Sequence, residues 1–111
     1  MVYKNTILID LDGVLNEYIG VFDENNIPKI KEGADLFLKK LAEKYIVKLF
    51  TTRNKLLASK WVIDNHIDSY INDITNVKEP AFLYIDDRSL KFNGDYEKLL
   101  NDIDNFKVWY K

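Results

Sequence analysis

Thr6-Ile7-Leu8-Ile9-Asp10-Leu11-Asp12-Gly13-Val14 is an apolar run that ends in two carboxylates, and its reading decides the fold. The uninterrupted Ile7-Leu8-Ile9 stretch is what a central parallel strand shows when both of its faces are covered. Alternate strand residues project to one face. Past the strand end the backbone turns, so Asp10 and Asp12 can meet at one point beyond the sheet edge. Burying two such anions together is costly unless a cation or a shared proton relieves them. The plain alternative is a strand that stops in a polar Asp-Gly turn.

Two later runs weigh against that alternative. Ile46-Val47-Lys48-Leu49-Phe50 ends in Thr51-Thr52-Arg53-Asn54, and Ala81-Phe82-Leu83-Tyr84-Ile85 ends in Asp86-Asp87-Arg88. Between them lies Lys78, eight positions before Asp86. Each strand candidate thus finishes in groups suited to phosphate or metal chemistry. Open α/β sheets bind ligands at the carboxyl ends of their strands.

In this order, Asp10-Leu11-Asp12-Gly13-Val14, Thr51, Lys78 and Asp86-Asp87 resemble the four motifs of the haloacid dehalogenase superfamily of aspartyl phosphotransferases. The resemblance spans positions 10 to 87. It implies an α/β fold: a Rossmann-like three-layer sandwich with a mostly parallel central sheet. It also implies a magnesium ion and a phosphoaspartyl intermediate. Asp10 is then the nucleophile, and Asp12 protonates the leaving oxygen and later deprotonates water. That role requires a proton on Asp12 at the start. Mg²⁺, which prefers hard oxygen ligands, falls to the Asp10 carboxylate, the Asp12 carbonyl and Asp86, with Asp87 beside them. Thr51 donates to a phosphoryl oxygen, and Lys78 neutralises charge as the phosphoryl group transfers. Gly13, Thr52 and Arg53 are the expected substrate contacts, Gly13 through a sharp turn that brings its amide to the phosphate. The family's dehalogenating members need no leaving-group acid, so Asp12 favours phosphoryl transfer.

The length of 111 residues suits one domain, 1–111. With 16 basic and 18 acidic residues spread along the chain, nothing marks a nucleic-acid surface, and nucleic acid enters only as a substrate end. The absence of cysteine excludes disulfides and thiolate metal sites. The N-terminal residues run into the first strand without a signal-peptide core, and no apolar run spans a bilayer, so the expectation is cytoplasmic with no membrane partner.

The first strand is expected at about 3–11, followed by a hairpin-like flap over 14–30 in which Asn16, Glu17 and Tyr18 are specificity candidates. A helix from Glu32 or Gly33 carries Ala34, Phe37, Leu38, Leu41, Ala42 and Tyr45 on one stripe. A second helix follows Asn54 as N-cap, through about Asn65, with Leu57, Ala58, Trp61 and Val62 inward. A short strand is expected around Tyr70 to Ile74 and another at 81–85. Asp95 caps a last helix with Tyr96, Leu99, Leu100 and Ile103 on one side, and Lys107 to Tyr110 form an edge strand. Strands alternating with helices imply a parallel sheet. Neither gap between motifs is long enough for a cap domain, so the site should be open unless another subunit covers it. The phosphorylated substrate is of unknown size.

Each residue also has a plainer role. Thr51 can be a simple cap, Thr52 can exchange with it, and Lys78 can be a solvated lysine. Asp86-Asp87-Arg88 can be a turn with a local ion pair. Arg53 and Arg88 fit surface positions better than substrate contact. His66 sits near a helix end, and Trp61 and Trp109 suit the core. The functional alternatives to a phosphohydrolase are a receiver-like phospho-signalling module and a degenerate phosphate-binding member. Receivers place the acidic pair first and the phospho-accepting Asp on the third strand, the reverse of the order here.

Overall fold

In the computed structural model, which describes residues 3–108, four strands form one sheet in the order β3-β2-β1-β4, every neighbouring pair parallel. The elements run β1 (Thr6–Asp10), α1 (Ala34–Lys44), β2 (Ile46–Phe50), α2 (Lys55–Asp64), a short 3₁₀ turn (Asp68–Tyr70), β3 (Asp73–Thr75), β4 (Leu83–Ile85) and α3 (Tyr96–Asn105). This is a Rossmann-like α/β sandwich. Among the described residues no helix is long and apolar enough to cross a membrane.

β1 lies between β2 and β4, which is why it is apolar on both faces: Ile7, Leu8 and Ile9 are all buried. β2 alternates instead. Val47 and Leu49 enter the core, while Lys48 pairs with Glu79 at 3.4 Å. The main core joins Ile9, Leu11 and Leu15 to Leu38 of α1, Leu49 of β2, Val62 of α2 and Ile67.

The helices form where their stripes predict, with changes at their edges. α1 starts after Gly33, whose φ of 87° reaches a left-handed conformation that costs glycine little. Ala34 and Leu38 are buried, but Phe37 stays largely outside. Asn54 caps α2, its side chain accepting from the Leu56 and Leu57 amides at 2.9 and 3.2 Å. Trp61 packs beside the core and donates its ring N–H to Pro28 at 3.2 Å. His66 has φ 58° and closes α2: its amide bonds to Ile63, and the next amide bonds to Val62. That pairing is the Schellman arrangement, so the histidine's part in ending the helix is a backbone one.

Several expected boundaries move. β1 begins at Thr6, because residues 3–5 lack strand pairing. The strand expected at Tyr70 to Ile74 is a 3₁₀ turn followed by β3 at Asp73–Thr75. β4 is shortened to three residues, Leu83–Ile85. Lys107 and Val108 are not in a strand, and Trp109 and Tyr110 lie outside the described residues. The flap is hairpin-like as expected, with Asn16 bridging Ile30 and the Glu17 amide bonding to Lys29 at 2.8 Å.

Candidate functional site

Strand register brings the acidic residues together. Ile9 pairs with Ile85, so Asp10 and Asp86 leave neighbouring strands side by side. Asp10, Asp86 and Asp87 each offer an oxygen, and these atoms lie within 4.8 Å of one another. Burial pushes the Asp10 carboxyl up to about 7 from 3.8, helped by the negative charges of Asp86, Asp87 and Asp12 and opposed by Lys78. Like charges held this close ionise together only at a cost. A set of three hard oxygen donors fits Mg²⁺ or a similar divalent cation, which would remove that cost.

Gly13 makes the cluster sterically allowed. Its φ is +88°, and a Cβ there would overlap the Asp87 carboxylate. The sharp turn expected at this glycine is present, but its amide serves another partner. It donates to Asn16 Oδ1 at 3.2 Å, so it does not face a phosphate. Asp87 Oδ2 is buried in this cradle.

Lys78 reaches the same place from the loop before β4. Its Nζ is 3.3 Å from Asp86 Oδ2 and 4.7 Å from the Phe50 ring centroid. The loop is tied down where Tyr84 donates its hydroxyl to the Glu79 carbonyl at 2.6 Å. Thr51, buried, follows β2 next to Asp10, whose strand partner is Phe50. Its Oγ1 accepts the Arg53 amide at 3.1 Å, and the hydroxyl proton remains available to donate.

The metal contact expected of Asp12 is its backbone carbonyl, and its carboxylate lies outside the three-oxygen cluster. Arg53 grips it through Nε and Nη2, and the Asn16 side-chain amide donates to it at 2.9 Å. Arg53 is itself buried, not a surface residue. Its Nη1 donates to the Asp23 and Asn26 carbonyls, and its guanidinium lies 4.5 Å from the Phe22 ring centroid. Those contacts use the guanidinium internally, so Arg53 is not a substrate contact in this arrangement. Asn16, a specificity candidate by position, is fully buried and braces the turn, accepting from the Gly13 and Tyr18 amides. Sequence alone gave no sign of the Arg53 brace, because its contacts with Asp12, Asp23 and Asn26 join residues 27 to 41 positions apart.

A cavity of about 170 Å³ opens over the cluster, walled by Asp10, Asp12, Thr52, Asp87 and Arg88 with the rings of Tyr18, Phe22 and Phe50. Thr52 is exposed and also borders a neighbouring cavity of about 400 Å³, lined by Asn54, Lys55, Asp73 and Thr75 among others. Thr52 therefore lines both cavities.

No family model matches the chain, and no curated protein matches it. Among solved structures, that of a conserved protein from Bacteroides thetaiotaomicron is similar: TM-score 0.61 at 22% identity, covering 96% of this chain and 95% of that one. Together, the sheet order and this likeness over nearly the whole length establish the chain as a Rossmann-like α/β fold.

Proposed function

We propose that the chain is a phosphohydrolase dependent on a divalent cation, Mg²⁺ by preference, and a member of the haloacid dehalogenase superfamily. The observation that carries this reading is the convergence of Asp10, Asp86 and Asp87 beside Lys78 at the carboxyl ends of adjoining strands. Asp10, Asp86 and Asp87 would hold the ion, which when bound neutralises carboxylate charge and polarises a phosphoryl oxygen.

Asp10 attacks phosphorus and becomes an aspartyl phosphate, while the substrate's ester oxygen leaves. Lys78 and the Thr51 hydroxyl stabilise the charge on the transferring group. Asp12 protonates the departing oxygen, then takes a proton from the water that hydrolyses the intermediate. In the resting arrangement Asp12 is an acceptor for Arg53, so the acid step requires Asp12 to give up that contact and take a proton from solvent before the ester oxygen leaves. Tyr18, Phe22 and Arg88 line the way by which the leaving group departs.

The test is hydrolysis of p-nitrophenyl phosphate with Mg²⁺ and with a chelator. Turnover should need the cation, and Asp10→Asn should lower it by at least about a thousandfold. Cation-independent turnover, or full activity in that variant, sinks the reading.

The hold of Arg53 and Asn16 on Asp12 favours a second reading, a module that accepts a phosphoryl group and keeps it. A hydroxylamine-sensitive phosphoprotein that persists without turnover would select this second reading.

A further inference from the structure

We infer that this chain pairs with a second copy of itself by exchanging α3, so that the helix of each copy covers β4 of the other. The inference does not depend on the proposed activity.

A parallel sheet is normally covered on both faces. Here β4 is not: Leu83 and Tyr84, which point to opposite faces, are 47% and 44% exposed. α1 packs on β2 and α2 on β3, at the other end of the sheet. The helix that follows β4 in the chain leaves it uncovered. α3 has a clear apolar stripe, with Tyr96, Leu100 and Ile103 at helical spacing, yet none of its residues is buried. Its ion pair, Lys98 with Asp102 at 3.0 Å, joins residues outside that stripe. An amphipathic helix without a partner and a strand without a cover are complementary surfaces.

The area identifies the occupant. The chain exposes 7970 Å², about 1,600 Å² more than the roughly 6,400 Å² expected of a folded monomer of 13.1 kDa. The radius of gyration is 15.1 Å, against about 13 Å for a single folded chain of this length. Obligate homodimers bury roughly 1,000 to 2,500 Å² per chain, and the excess falls inside that range. Among the described residues, half of the exposed large apolar side chains lie between residues 82 and 106. A twofold axis satisfies both surfaces at once, since each copy brings one strand and one helix, and the contact is closed at two copies.

The experiment combines sedimentation equilibrium with cross-linking. The wild-type chain should have twice the 13.1 kDa chain mass. Leu100→Glu with Ile103→Glu should reduce it to a monomer whose circular dichroism still shows the α/β core. The chain has no cysteine, so mixing Leu83→Cys chains with Ile103→Cys chains makes a link between the two variants report on that one pair of positions. On oxidation the mixture should give a covalent heterodimer of the two variants that reductant dissolves. A monomeric wild type, a dimer that survives the glutamates, or no link between the two variants overturns the inference.

Discussion

Arg53 holds Asp12 with three hydrogen bonds, Nε to Oδ2 at 2.9 Å, Nε to Oδ1 at 3.2 Å and Nη2 to Oδ1 at 3.1 Å. The same guanidinium donates to the Asp23 carbonyl at 2.7 Å, so one side chain ties the flap, the turn after β1 and the end of β2 together.

Arg53→Gln should therefore lower stability by about 2 to 4 kcal/mol, because it strips a buried partner from a carboxylate. Arg53→Lys should recover only part of this, as an ammonium lacks the fork that meets Asp12 and Asp23 simultaneously. Urea midpoints at constant slope measure both, and limited proteolysis within 17–26 should rise in step.

The raised Asp10 carboxyl sets a pH dependence. Its folded value of about 7 lies above the ordinary 3.8, so the folded state binds the proton more tightly than the unfolded one. Stability from this group is full below about 4, falls as pH rises toward 7, and is then level. A cation among the carboxylates displaces the proton and reverses the loss. Mg²⁺ should raise the melting temperature more at about pH 8 than at about pH 5. In Asp10→Asn the Mg²⁺ shift should shrink and the slope between those values should flatten. An equal Mg²⁺ shift at both pH values would show that Asp10 does not ligate the ion.

Gly13→Ala should cost about 1 to 3 kcal/mol from the left-handed backbone alone. It should also displace the Asp87 carboxylate, whose space the new methyl would take. Calorimetric titration should then find Mg²⁺ binding weakened well beyond what the loss of stability explains.

Lys78→Ala separates chemistry from folding. The lysine side chain is about half exposed, so its ion pair with Asp86 adds little to stability. Turnover of an aryl phosphate should fall by about 10² to 10³ while the urea midpoint barely moves.

Sequence was most informative where one local pattern determined the outcome. The unbroken Ile7-Leu8-Ile9 run located the central strand, and the acidic ends of β1 and β4 located the carboxylate cluster. Asn54 and Asp95 were readable as caps because capping is decided within three residues. What depended on distant contacts was not legible. Arg53 followed a strand with no apolar neighbours in sequence, and only the returning flap buries it. Tyr70 has strand-like propensity, but the chain spends it on a 3₁₀ turn that lets Tyr70 pack against the core. The α3 stripe was read correctly as a stripe, while its missing cover could be seen only in three dimensions.

The brevity of β4 has a last consequence. A one-residue slip would turn Asp86 to the opposite side of the sheet. Three paired residues, with neither face well buried, offer little resistance to such a slip. The Tyr84 hydroxyl on Glu79 and Lys78 on Asp86 both act within 78–86, so they shape the segment without tying it to β1. An ion clasped between β1 and β4 would act as a rivet at the fraying end of the sheet, so amide exchange at 83–85 should slow when it binds. The groups that build the site would then also keep the strand in alignment.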